Sequence, residues 1–191
     1  MCTAITYRTK DHYFGRNLDL ERTYGERVVI APREYPLKFR KAGKLSRHYA
    51  MIGMAVIKDE YPLYFDATNE KGLSMAGLNF PGNADYKPEA VGKDNVAPFE
   101  LIPWLLGQCD DLNDVRHVLD RINIVKLDFS EEMPLTPLHW MISDRNGTIV
   151  LESVQDGLKV YENPVGVLTN NPPFPMQMFA LNNYGHLSCR D

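Results

Sequence analysis

The order of segments predicts an α+β fold in which mainly antiparallel sheets are covered by a few helices. Three observations carry this. Short apolar runs of strand character fill the first half and return after residue 138. Several are joined by tight turns such as Asn69-Glu70-Lys71-Gly72 and Asp144-Arg145-Asn146-Gly147, which connect antiparallel neighbours. Helical spacing is confined to the middle and the end of the chain. Finally, 191 residues, 44% hydrophobic and 24% charged, suffice for a single domain, 1–191, with a real core.

The elements follow in order. Thr3-Ala4-Ile5-Thr6-Tyr7 reads as a strand opened by Cys2, and Tyr13-Phe14 leads into Gly15-Arg16-Asn17-Leu18-Asp19-Leu20. Residues 27–32, built on Val28-Val29-Ile30, form the next strand. The basic stretch 38–47 reads as a solvated loop. Residues 49–57 form a strand with Gly53 inside it. Residues 62–67 and 73–80 form a hairpin around the 69–72 turn, where Gly72 supplies a positive φ. Phe99, Ile102, Leu105 and Leu106 fall at helical spacing after Pro98, with Gly107 loosening the end. Asn113 is the expected N-cap of a second helix carrying Val115, Val118, Leu119 and Ile122 on one face. Residues 139–143, 148–154 and 158–161 are strands, and 165–168 lead into Thr169-Asn170-Asn171-Pro172. Residues 174–187 are predicted as a final helix.

Composition excludes several classes. A net charge of −4 gives no footprint for nucleic acid as a partner. No apolar run approaches the ~20 residues of a membrane span. The first residues show no basic region followed by an apolar stretch, so no export signal is expected and the predicted localisation is cytoplasmic. The three cysteines, Cys2, Cys109 and Cys189, are odd in number and far apart, which fits a reducing compartment rather than a disulfide framework. His12, His48, His117, His139 and His186 show no metal-ligand spacing, so neither a metal nor any other cofactor is expected.

Four polar spots sit where strands end or turn. Cys2 is the first. If Met1 is removed, one residue carries a nucleophilic thiol and a free α-amine that can act as its own base, the reference pKa values being about 8.5 and about 7.7–8.0. A cysteine near a chain start is also a common coincidence. Arg16 and Asp19 are the second spot, and a structural ion pair at a strand end explains them equally well. Asn79 and Asn170 complete the set. An amide at such a place can donate to an oxyanion, and a turn-forming Asn before Pro81-Gly82 or Asn171-Pro172 is the plain alternative. Cys109, near the end of the first helix, reads as a buried small apolar residue.

Taken together these residues resemble the choloylglycine hydrolase family, the bile salt hydrolases and penicillin V acylases of the N-terminal nucleophile (Ntn) hydrolase superfamily. The resemblance rests on Met1-Cys2-Thr3, Tyr13-Phe14-Gly15-Arg16-Asn17-Leu18-Asp19, Asn69-Glu70-Lys71-Gly72-Leu73, Ala76-Gly77-Leu78-Asn79-Phe80-Pro81-Gly82, Leu138-His139-Trp140 and Leu168-Thr169-Asn170-Asn171-Pro172, in order along nearly the whole chain. It implies an αββα sandwich and hydrolysis of a linear amide. Cys2 would be the nucleophile with its freed α-amine as base. Asp19 would hold that amine or position the thiol, and Arg16 would favour the thiolate by its charge. Asn79 and Asn170 would line the oxyanion side. Asn at position 79, where penicillin V acylases tend to carry Tyr, tilts the implied substrate toward glycine- or taurine-conjugated bile acids. Leu20, Tyr24, Phe65 and Leu135 are the candidate walls of an apolar substrate pocket. Family members are longer. They continue with further strands and an Arg in a Ser-Ser-x-Ser-Arg-Phe-like motif that Arg190 does not occupy. The implied sandwich is therefore truncated at its C-terminal end, and a second copy completing the sheet makes a homo-oligomer the expected assembly. Penicillin V acylase activity, or ligand binding without turnover, are the alternatives.

Overall fold

The structure is a computed structural model, described for residues 1–187. Cys189 and Arg190 lie outside the described residues. The chain opens with β1 (Thr3–Arg8) and β2 (His12–Asn17), followed by β3 (Arg27–Ala31). The basic stretch expected as a loop contains a small hairpin, β4 (Leu37–Lys38) and β5 (Lys44–Leu45). Its apolar anchors explain the difference: Leu37 and Phe39 are buried in the main core and pull the segment inward.

β6 (Met51–Lys58) is the longest strand. The apolar run after it, expected as one strand, divides into β7 (Tyr61–Tyr64) and β8 (Asp66–Asn69), and both pair with β6. The division falls beside Gly53, where an added Cβ would lie 1.9 Å from the Asp66 carbonyl oxygen. Only glycine permits that backbone approach. β9 (Ser74–Asn79) follows the predicted turn, with Gly72 at φ 88°.

The middle of the chain holds β10 (Asp94–Val96), α1 (Leu101–Leu106), α2 (Leu112–Leu119) and β11 (Ile122–Ile124). β10 and β11 form a parallel pair absent from the sequence reading, which placed Ile122 on the helix. The cap of α2 is Asp111, not Asn113. Asp111 is extended at φ −146°, and its carboxylate accepts the backbone N–H of Asn113 and Asp114, the bonding that defines an N-cap. β12 (Leu138–Ser143), β13 (Thr148–Val154), β14 (Gly157–Glu162) and β15 (Val167–Thr169) complete the strands. The final helix is shorter than predicted: α3 (Phe174–Ala180) gives way to a 3-10 turn over Leu181–Tyr184. Phe174 is its buried residue, and Leu181 and Tyr184 are exposed, so no apolar face extends the helix.

Two sheets stack. The larger runs β14-β13-β12-β9-β8-β6-β3, with β7 also on β6, and the smaller runs β15-β1-β2, all antiparallel. Alternation sorts the side chains of the large sheet into two cores. Met75, Trp140, Ile142, Ile149 and Leu151 face α1 and α2. Ala76, Leu78, Met141 and Val150 face the small sheet, where they meet Cys2, Ala4, Leu168 and Phe174. The outer face of the small sheet is open among the described residues, with Ile5, Tyr7, Tyr13 and Val167 exposed.

Candidate active site

The site lies at the end of the small sheet where β1 begins. β15 pairs with β1 in the register Thr3↔Thr169, which brings residue 170 beside residue 2. Cys2 and Ala4 share the inward face of the strand, and Cys2 is 7% exposed. The Cys2 backbone N–H donates to Asn170 Oδ1 at 2.7 Å, and Asn170 Nδ2 donates to the Asn79 carbonyl at 2.8 Å. Cys2 Sγ lies 3.8 Å from the Asp19 carbonyl oxygen. The Asp19 carboxylate itself accepts the Met1 ammonium. Asn17 closes the same corner: its Oδ1 accepts the Thr3 N–H at 2.6 Å, and its Nδ2 donates to the Met1 carbonyl at 3.0 Å.

Arg16 sits opposite Ala4 in the β1–β2 register and points between the sheets, its side chain 5% exposed. Nη1 donates to the carbonyls of Phe65 at 3.1 Å and Gly77 at 2.9 Å, and Nε lies 3.8 Å from Asp66 Oδ2. A buried guanidinium needs such partners. Burial raises the Asp66 carboxyl above the ordinary carboxylate range, against the pull of the Met54 N–H and the Arg16 charge. Asp66 was missed in the sequence, although a carboxylate inside the apolar run 61–67 is the signal that exposes it.

The structure therefore gathers Cys2, Asp19 and Asn170, with the Asn79 backbone, into one hydrogen-bonded corner, and sets Arg16 on the neighbouring inward face. The Asn79 side chain is exposed at the end of β9. The four candidate wall residues are more scattered. Leu20 is half-buried, Tyr24 is exposed with the Arg22 guanidinium 5.1 Å above its ring, and Phe65 offers its carbonyl to Arg16. Leu135 packs against the helix-side core. Clefts of about 820 and 780 Å³ open elsewhere, one along His12, Ser74 and Asp144, the other along Arg33, His48 and Glu70. Among the described residues no group of three or more His, Cys, Asp or Glu is placed to hold a metal ion. Cys109 is fully buried, and burial above all pushes its thiol up to about 12.

Residues 2–191 match the family model described as linear amide C–N hydrolases, choloylglycine hydrolase family. The chain belongs to that family. A bile salt hydrolase/transferase of Lactiplantibacillus plantarum is 57% identical over 188 residues, which are 98% of this chain and 58% of that relative. A crystal structure of a variant of the conjugated bile acid hydrolase from Clostridium perfringens superposes with a TM-score of 0.91 at 39% identity, over 98% of this chain and 59% of the other. A penicillin V acylase from Agrobacterium tumefaciens shares the fold, with a TM-score of 0.75 at 21% identity over 96% of this chain and 56% of the other. The sandwich is thus the Ntn fold of the choloylglycine hydrolases. The chain spans less than two thirds of the length of these relatives.

Proposed function

We propose that this chain carries the nucleophile and oxyanion arms of an amidase that cleaves the amide of glycine- or taurine-conjugated bile acids. The observation that carries the reading is the Cys2–Asn170–Asn79 chain of hydrogen bonds, which ties the residue bearing the thiol to two amide-bearing loop ends. The bile salt hydrolase relatives support the substrate class.

Removal of Met1 converts the Cys2 backbone nitrogen into an α-amine 2.7 Å from Asn170 Oδ1 and releases the Asp19 carboxylate from its present ammonium partner. The amine takes the Sγ proton, and the thiolate attacks the substrate carbonyl carbon. Asn170 Nδ2 has a second hydrogen beyond the one given to Asn79, and that hydrogen meets the oxygen as it gains charge. The α-ammonium then protonates the departing glycine or taurine nitrogen, as a general acid does in triad chemistry, and water hydrolyses the thioester. Arg16 anchors β2 to Phe65 and Gly77 on the facing sheet and adds positive charge beside this chemistry.

The test is taurine release from taurocholate by the purified chain and by Cys2→Ser. Loss of at least about 10³-fold in rate is expected for a missing nucleophile. Unchanged turnover in Cys2→Ser rejects the reading, and added penicillin V, as a competing amide, reports on breadth. The exposed Ile5, Tyr7 and Tyr13 face supports self-association as a homo-oligomer. Light scattering that finds only monomer at high concentration overturns that part. The free thiols of Cys2 and Cys109 support a reducing, cytoplasmic setting, which cell fractionation checks.

A further inference from the structure

Behind the two asparagine arms lies a buried group that the chemistry above does not use. His139 is wholly buried and Glu152 is 1% exposed. His139 Nε2 is 2.8 Å from the Thr169 carbonyl oxygen, and Nδ1 is 3.0 Å from Glu152 Oε1. Its ring stacks on Phe80, with centroids 4.2 Å apart and planes within 6°. Thr169 immediately precedes Asn170, and Phe80 immediately follows Asn79. One imidazole therefore touches both arms, by a hydrogen bond on one side and by ring stacking on the other.

The hydrogen placement follows from the partners. A carbonyl oxygen only accepts, so Nε2 carries a hydrogen. Nδ1 and Glu152 Oε1 share one further proton, and on whichever of them it rests, Nε2 keeps its own. Glu152 thereby holds His139 in the form that donates to Thr169, as a carboxylate does for a ligating or catalytic histidine. The same Oε1 accepts the Phe174 N–H at 2.9 Å, so the pair grips both ends of the 169–174 segment that carries Asn170. Gln177 adds a second grip, taking the Thr169 N–H at 3.2 Å and giving to the Asn170 carbonyl at 3.1 Å.

We propose that His139, held by Glu152, is a positioning residue that sets the distance between the Asn79 and Asn170 arms without touching substrate. The kinetic part rests on the amidase reading; the geometric part does not. Two readouts on the 191-residue chain separate them. The first is the Asn170 side-chain amide resonance, assigned through Asn170→Asp. In His139→Phe, which keeps an aromatic ring against Phe80 and loses the donor, this resonance is expected to shift toward its position in unfolded chain. In His139→Gln, whose amide nitrogen can replace the Nε2 donor, it is expected to stay near its native place. The second readout is taurocholate hydrolysis. His139→Phe is expected to lower kcat about 10²-fold, the scale of one lost oxyanion donor, with KM within about threefold, and His139→Gln to recover at least tenfold of that. A folded His139→Phe with an unmoved Asn170 resonance overturns the proposal, as does equal loss in the Phe and Gln variants. Absence of turnover in the unmodified chain rejects the amidase reading alone, and the resonance still decides the positioning. If His139→Phe does not fold, His139→Leu, which also loses the donor to Thr169, is read the same way, and an unmoved Asn170 resonance there again overturns it.

Discussion

Cys109 and Cys2 belong to different chemical worlds, and alkylation rates should show it. Cys109 is fully buried, packed with Leu112 and Val115 in the helix-side core, with its thiol pushed up to about 12 by burial and, secondarily, by the Asp114 charge. At pH 8 such a thiol is about one part in 10⁴ thiolate, whereas an ordinary thiol of pKa ~8.5 is about one quarter thiolate. Because only the thiolate attacks iodoacetamide, ionisation alone slows Cys109 by a factor of about 2,000 relative to an unperturbed cysteine. Occlusion adds to this. The measurement is peptide mass spectrometry on the native chain sampled over time, with the Cys2, Cys109 and Cys189 peptides followed separately. Cys2 should label at least about 10²-fold faster than Cys109, and denaturation in urea should abolish the contrast. The same shift has a sign in stability. A thiol whose folded pKa is raised costs nothing below its unfolded value. Above about pH 8.5 it destabilises the fold by up to about 1.4 kcal/mol per pH unit, and Cys109→Ala should flatten that alkaline slope. Native Cys109 labelling within tenfold of a free cysteine, in a chain with an intact circular dichroism spectrum, would refute the reasoning.

Two further outcomes follow from surface and turn chemistry. Glu70 is held down to about 2, first by hydrogen bonding to Arg33, whose Nε is 2.9 Å from both carboxylate oxygens, and then by the Ala50 N–H. Its contribution is present above the unfolded carboxylate value near 4.3 and is lost as pH falls toward 2, so Glu70→Gln should flatten acid unfolding in that window, read by fluorescence. Asn69 spends its buried amide on four backbone groups, donating to the Leu106 and Cys109 carbonyls and accepting from Lys71 and Leu73. Asn69→Ala should cost about 3–4 kcal/mol in urea unfolding, since it leaves buried groups unpaired; a loss under 1 kcal/mol would contradict this.

Much of the fold was legible in the sequence, and so was the neighbourhood of Cys2, Asp19 and Asn170 in the candidate site, for identifiable reasons. Hairpins with strong turn residues, at 69–72 and 144–147, declare themselves locally, while Cys2, Arg16, Asp19, Asn79 and Asn170, each with a plain reading of its own as a polar residue at a strand end or turn, were joined into one candidate site only by the family resemblance. What escaped was set by distant partners. The β10–β11 pair links segments on either side of two helices, so no local pattern announces it. The β7–β8 break depends on Gly53 meeting the Asp66 backbone across the sheet. Asp111 rather than Asn113 caps α2 because the preceding loop arrives extended at residue 111. His139 was weighed as a lone histidine, since neither Glu152 nor Thr169 is near it in the chain, and only the antiparallel pairing of β12 with β13 and the return of β15 bring them together.

The pairing of β15 with β1 also imposes a timetable. Cys2 and Asn170 are 168 positions apart, yet they bond directly. At a synthesis rate of about 5–20 residues per second, residue 170 is added about 8–34 s after residue 2. During that interval the partners of Met1 and Thr3 on the first hairpin, Asp19 and Asn17, already exist, and the Asn170 arm alone is missing. Once residue 169 pairs with residue 3, the Cys2 nitrogen is tied to Asn170 as well. If Met1 is removed, as the proposed function requires, the Asn170 arm closes on whichever amino terminus trimming has left.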